Sequence, residues 1–228
     1  MTRCTNRRWT RRNLVVGGVA ALVILNARGQ SGRNAPLVDA AGRGDLAQVE
    51  RLIAQGTPIE QRDAAGRTPV LAAAAGNHLA VVQALIARGA DVNAQDHQRD
   101  SAFLLAGARG HTDIVRATLA AGANLKSTNR YGGTALIPAC HYGHVETVRL
   151  LLTTPIDVDH VNNLGWTALL EAVILGDGGP AHGEIVKLLI ARKADVNLAD
   201  LQGVTPLGHA RQRGQHAIAD LLLAAGGR

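Results

Sequence analysis

A short phrase returns along this 228-residue chain at near-constant spacing. It reads Thr68-Pro69-Val70-Leu71, Ser101-Ala102-Phe103-Leu104, Thr134-Ala135-Leu136-Ile137, Thr167-Ala168-Leu169-Leu170 and Thr205-Pro206-Leu207-Gly208. The steps between the first residues are 33, 33, 33 and 38. A period of this size marks a chain of stacked units, each too small to bury its own apolar face. Such a chain builds a long surface rather than an enclosed pocket, which favours binding over catalysis.

The same chemistry returns at each offset. The Thr or Ser hydroxyl is placed to cap a helix start. Pro69 and Pro206 follow at the first helical position, where a missing N–H costs nothing. A short Ala-rich stretch comes next, at 72–75, 105–108 and 172–175, whose small residues let a neighbouring helix approach closely. Stops follow at Gly110, Gly143, Gly176 and Gly214, with Asn77 in the first full copy. A second helix then shows Val81/Val82 with Leu85/Ile86, and Val148 with Leu151/Leu152. Ile185/Val186 with Leu189/Ile190 and Ile218 with Leu222/Leu223 repeat the spacing, which predicts one buried stripe. Gly89, Gly122 and Gly226 end that helix. The unit closes with an Asp/Asn-x-x-Gly turn, seen at 63–66, 129–132 and 162–165.

These residues resemble the ankyrin repeat, whose unit reads D-x-x-G-x-T-P-L-x-x-A-x-x-G-H-x-x-I-V-x-x-L-L-x-x-G-A-D-V-N. The resemblance covers residues 35–228 and includes a weaker first copy starting at Ala35-Pro36-Leu37. It implies an all-α ankyrin-repeat solenoid of about six helix-pair units with short hairpin fingers. The units are expected near 35–62, 63–95, 96–128, 129–161, 162–199 and 200–228, the first and last acting as caps. It also implies a protein-binding module with no shared catalytic activity and no cofactor.

Three departures carry expectations. Five extra residues in the fifth unit, around 176–183, read as an enlarged loop between its two helices. The third unit lacks the finger glycine (Asp96-His97-Gln98-Arg99-Asp100), which predicts an irregular finger tip. The fourth unit has Pro155-Ile156, and the fifth has Lys193, where Gly is expected.

Residues 1–34 are a different object. Arg3, Arg7, Arg8, Arg11 and Arg12 precede an apolar run at 14–25, and polar sequence begins at Asn26. A charged head, a short apolar run and a polar exit describe a secretory signal followed by a short tether. The run falls short of the roughly 20 residues that a membrane-spanning helix needs. Arg11-Arg12 with Leu14 resembles the twin-arginine export motif of bacteria. A periplasmic protein is therefore expected, with retention as an inner-membrane anchor the alternative, because no clean cleavage triplet follows Leu25. Delivery into a host cell as an effector is a further alternative. In the exported reading, the resemblance hints at support for a stress-defence enzyme such as a peroxide scavenger.

The leader also explains the charge. Seven of the 24 basic residues and none of the 18 acids lie in 1–34. The remaining 17 bases stand against 18 acids, so residues 35–228 carry about −1. Nucleic-acid binding is disfavoured on that balance. Contact with a membrane is expected only through a retained N-terminal segment, and the domain is expected to be monomeric. Cys4 lies in the leader, so Cys140 stands alone without a disulfide partner.

Chemistry-bearing clusters are few. Cys140-His141-Tyr142-Gly143-His144 has the residue types of a metal or thiol site. His144, however, falls at the offset of His78 and His111, and Cys140 at that of Ala74 and Gly107, which are turn-bracing and packing positions. Residues 176–179 are glycine-rich but lack the Lys-Ser/Thr of a phosphate loop. The contact surface is expected in the middle to C-terminal units. Arg130 and Tyr131 lie on a finger turn, and Trp166 follows the next finger's glycine, either as an anchor or flat on its own hairpin. His141, Glu171 and His209 occupy first-helix offsets expected to face the groove.

Overall fold

The computed structural model describes residues 35–228; the leader, with Arg11 and Arg12, lies outside the described residues. The first helices of the units are α1 (Pro36–Gly42), α3 (Pro69–Ala75), α5 (Ala102–Ala108), α7 (Leu136–His141), α9 (Ala168–Ile174) and α11 (Pro206–Gln212). The second helices are α2 (Leu46–Ala54), α4 (Leu79–Ile86), α6 (Thr112–Ala120), α8 (Val145–Leu151), α10 (Pro180–Ala191) and α12 (His216–Ala224). There is no strand among the described residues. Each helix packs on its own partner and on the equivalent helix of the next unit, so two helix rows run side by side. Six units result.

Capping starts the first helices. Thr68, Ser101, Thr167 and Thr205 accept the N–H of Leu71, Leu104, Leu170 and Gly208 at 3.2–3.4 Å. Between the rows lie Leu37, Val70, Phe103, Leu136, Leu169 and Leu207 from the first helices. Val49, Leu85, Ile114, Leu151, Leu189 and Leu222 meet them from the second. Small residues set the spacing: a Cβ on Gly107 would sit 2.9 Å from the Cβ of Ala135, so α5 and α7 leave no room for a methyl group.

A polar brace ties α4, α6, α10 and α12 to the preceding unit. Ring N–H groups of His78 and His111 donate to the carbonyls of Gly42 and Ala74, at 3.1 and 3.0 Å. His182 donates to the His141 carbonyl at 2.9 Å, and Gln215 to that of Val173 at 3.1 Å. These carbonyls stand at or near first-helix C-termini, where the helix itself supplies no donor.

The fingers are built alike. In each, one Asp or Asn side chain accepts the N–H groups two and four residues on: Asp63, Asp96, Asn129, Asn162 and Asp200. Successive fingers are joined by His97 N–H to Ala65 O, Arg130 N–H to Gln98 O and Asn163 N–H to Tyr131 O, at 2.9–3.2 Å.

Three expectations need correction. The third finger is regular, because Arg99 takes the left-handed backbone (φ 59°) that Gly66, Gly132, Gly165 and Gly203 adopt elsewhere. The insertion in the fifth unit is not simply an enlarged loop. Pro180 starts a helix early, and α10 runs 12 residues where the other second helices have 7–9. The left-handed stop before it has moved from Gly176 to Gly178 (φ 73°). Finally, Thr134 does not cap its helix, for a reason that belongs to the site.

Candidate functional site

A groove of about 880 Å³ lies between the fingers and first helices of units three to five. Arg130, Tyr131, His141 and Glu171 all line it. Trp166 and His209 do not. They occupy the same repeat rows one unit further along, Trp166 after Asp100 and Gly133, His209 after Leu105, Pro138 and Glu171.

The walls are apolar. Tyr131 and Tyr142 are 52% and 59% exposed, and Leu164 and Leu175 are 48% and 41%. Tyr142 and Leu175 stand where Gly76, Arg109 and Arg213 stand in other units, so the repeat does not require a large apolar residue there. Apolar side chains clustered in the open mark a contact surface. Both tyrosines are supported. The Tyr142 ring stacks on His141 with centroids 4.1 Å apart. The Arg130 guanidinium lies 4.5 Å from the Tyr131 ring centroid and donates to its hydroxyl at 3.0 Å. Arg109, at the same end, donates to the Ala75 carbonyl.

The floor is polar. Glu171 is 7% exposed. Asn162 Nδ2–H donates to its Oε1 at 2.9 Å. Burial pushes the carboxyl up to about 7, against the pull of the Asn162 bond. His141 Nδ1 stands 3.8 Å from Glu171 Oε2. Burial, and then His182, hold that imidazole below its ordinary range, so the contact is not an ion pair at neutral pH. Asp100 is likewise raised, by burial and by Asp96, with Arg130 and Arg109 opposing.

Cys140 points away from this chemistry. It is fully buried, and burial, with Glu171 next in effect, drives its thiol above the ordinary range. A thiol so held is a packing group rather than a nucleophile. Among the described residues no three of His, Cys, Asp and Glu are placed to hold a metal ion. His209 is committed to Asp200 at 2.7 Å, inside its own unit.

Pro138 shapes the groove and disturbs its helix. In the other units the residue four after the capping Thr or Ser donates to that residue's carbonyl; a proline cannot. Ile137 N–H turns to the Thr134 carbonyl instead, at 3.3 Å, and Thr134 Oγ1 is left buried without a partner. Pro138→Ala restores both bonds and is expected to raise stability by about 1 kcal/mol, read by denaturant unfolding.

The sequence pattern described as "Ankyrin repeats (3 copies)" matches residues 17–96, 37–129 and 102–200. The chain belongs to the ankyrin repeat family. An ankyrin repeat domain from Acinetobacter baumannii AYE, solved as a crystal structure, is 52% identical with a TM-score of 0.81. The match spans 85% of this chain and 98% of that one. The ankyrin repeat domain of Bcl-3, of the IkappaB family, is 28% identical with a TM-score of 0.76, over 86% and 88% of the two chains. A chain in the complex of the predatory endopeptidase Bd0816 from Bdellovibrio bacteriovorus with immunity protein Bd3460 is 26% identical. Its TM-score is 0.73, over 84% of this chain and 98% of that one. The putative ankyrin repeat protein YahD of Escherichia coli K12 is 50% identical over 56 residues. That match spans 25% of this chain and only 28% of YahD.

Within this ankyrin stack, several groove residues escape the sequence reading: Arg109, Pro138, Tyr142, Asn162, Leu164 and Leu175. Tyr142 and Leu175 carry a signal, since each breaks the residue type at its offset. Asn162 reads only as a turn former, and nothing in the sequence says that its amide also reaches Glu171.

Proposed function

We propose that this ankyrin domain binds a protein through the groove of units three to five. The observation that carries the reading is the cluster of Tyr131, Tyr142, Leu164 and Leu175, exposed together around a buried carboxyl. Rigid aromatic anchors beside arginine are the usual centres of protein interfaces. The family's members are generally interaction scaffolds. The Bdellovibrio complex, which contains a similar fold, joins two proteins and supports a protein partner over a nucleic acid. So does the net charge of about −1 across residues 35–228.

The N-terminal Arg11-Arg12 leader extends the reading to a partner met after export, in the periplasm. A stress-defence enzyme is the partner class that the resemblance suggests. No helix among the described residues is long and apolar enough to cross a membrane.

Capture from separated periplasmic and cytoplasmic extracts tests both parts. A periplasmic protein retained by the wild type and reduced at least about tenfold by Tyr131→Ala/Tyr142→Ala, with equal melting curves, is the expected result. Equal retention by the variant removes the groove from the reading. Retention of cytoplasmic protein alone removes the compartment.

A further inference from the structure

Units five and six carry the same rung between finger and first helix, filled in opposite ways. In unit six, Asp200 Oδ2 meets His209 Nε2 at 2.7 Å, an acid beside a base in one pair. In unit five, the equivalent residues are Asn162 and Glu171. There the finger supplies a neutral amide, and the carboxylate stands on the helix. Asn162 fixes one oxygen and brings no charge. The other oxygen has His141, at 3.8 Å, as its nearest basic group, and no Lys or Arg pairs with it. The equivalent first-helix positions hold an exposed Asp39, then Ala72, Leu105, Pro138 and His209, so the fold needs no buried carboxylate here. A buried charge without a counter-charge is a cost that a stack can avoid with any apolar residue.

The surroundings suit a long basic side chain. Leu175 lies one helical turn beyond Glu171, and Leu164 two residues beyond Asn162; both are exposed in the groove. Tyr142 follows His141 in the same wall. Such walls accept the aliphatic stem of Lys or Arg while the head reaches a polar floor. Arg109 and Arg130, of units three and four, act on Asp100; Arg213 of unit six is held on the Gly176 carbonyl at 3.3 Å, and no Lys or Arg is paired with Glu171.

We propose that the partner inserts a Lys or Arg side chain into this end of the groove, with its cationic head on the Glu171 carboxyl beside Asn162. This rests on the groove being the partner surface. Glu171 then selects the residue type while the tyrosines provide contact area.

The test uses two probe peptides, acetyl-Leu-Arg-Leu-amide and acetyl-Leu-Gln-Leu-amide, titrated into the full-length protein at pH 8. NMR signals of the Asn162 side-chain amide and of the Tyr131 and Tyr142 rings report binding. The arginine peptide is expected to shift Asn162 saturably and to bind about tenfold tighter than the glutamine peptide. Glu171→Gln should abolish that preference. Equal affinity for the two peptides, an unchanged preference in Glu171→Gln, or no saturable shift of Asn162 in the millimolar range overturns the proposal. Equal binding with shifted tyrosine rings overturns the cation while leaving the groove. A Glu171-dependent arginine preference combined with failed capture leaves the pocket and removes the partner surface.

Discussion

Phe103→Ala is expected to cost about 3–5 kcal/mol of stability, the largest loss from any single truncation in this fold. Phe103 is the one phenylalanine of the chain and is wholly buried in the third of six first helices. The core cluster that holds it is mostly Ala, Val and Leu, and Gly107 on the same helix already packs against Ala135 without slack. The surround can collapse little into the space that a lost ring leaves. Position adds to the effect. Each unit of a solenoid touches only its neighbours, so weakening unit three uncouples the two ends. Denaturant unfolding followed by circular dichroism should show a lower midpoint and a transition broadened or split in two. Leu223→Ala, at a side chain 45% exposed, should stay within about 0.5 kcal/mol of wild type.

Glu171→Gln should do the opposite, and only above acidic pH. A glutamine keeps the size and can keep a bond to Asn162, but carries no charge to bury. In the folded chain the carboxyl titrates at about 7, against 4.5 for a free glutamate. Below the lower value both states hold the proton, and burial costs nothing through charge. Between the two values the unfolded chain releases its proton while the folded chain keeps it. Stability from this group therefore falls as pH rises, and levels off above 7. The difference amounts to about 3 kcal/mol in total. Melting curves of wild type and variant should nearly coincide at pH 4 and separate by several degrees at pH 8, with the variant higher. Taking the difference cancels Asp63 and Asp200, whose lowered values act in the opposite direction in both proteins. A gain in stability joined to a loss of arginine preference would mark Glu171 as kept for binding.

The stack is legible because its signals are local and repeated. A 33-residue step, a hydroxyl before each first helix and paired aliphatics in each second helix need no tertiary information. Where the reading failed, a neighbour overrode the local rule. Thr134 has the capping residue type, but Pro138 four residues on removes the donor that would have freed Ile137 to meet it. Arg99 lacks the permissive backbone of glycine, yet Asp96 and the adjoining fingers hold it in the same turn. The insertion contains Pro180, which begins a helix as readily as it breaks one. The groove was half legible. Arg130 and Tyr131 announce themselves on a finger turn, and the offsets of His141 and Glu171 place them inward. Tyr142 and Leu175 could have been found by asking which residue each offset carries elsewhere. The environment of Glu171 could not, because burial and the Asn162 bond arise from the close stacking of finger and helix.

Photo-crosslinking in the living cell tests the central claim most directly. A photoreactive phenylalanine replaces Tyr142 in the groove in one strain and Lys187, on the exposed face of α10, in another. Recognition through the groove predicts a discrete adduct with a second protein from position 142 and none from position 187. An adduct from 187 with none from 142 would contradict it and move the contact to the second-helix row.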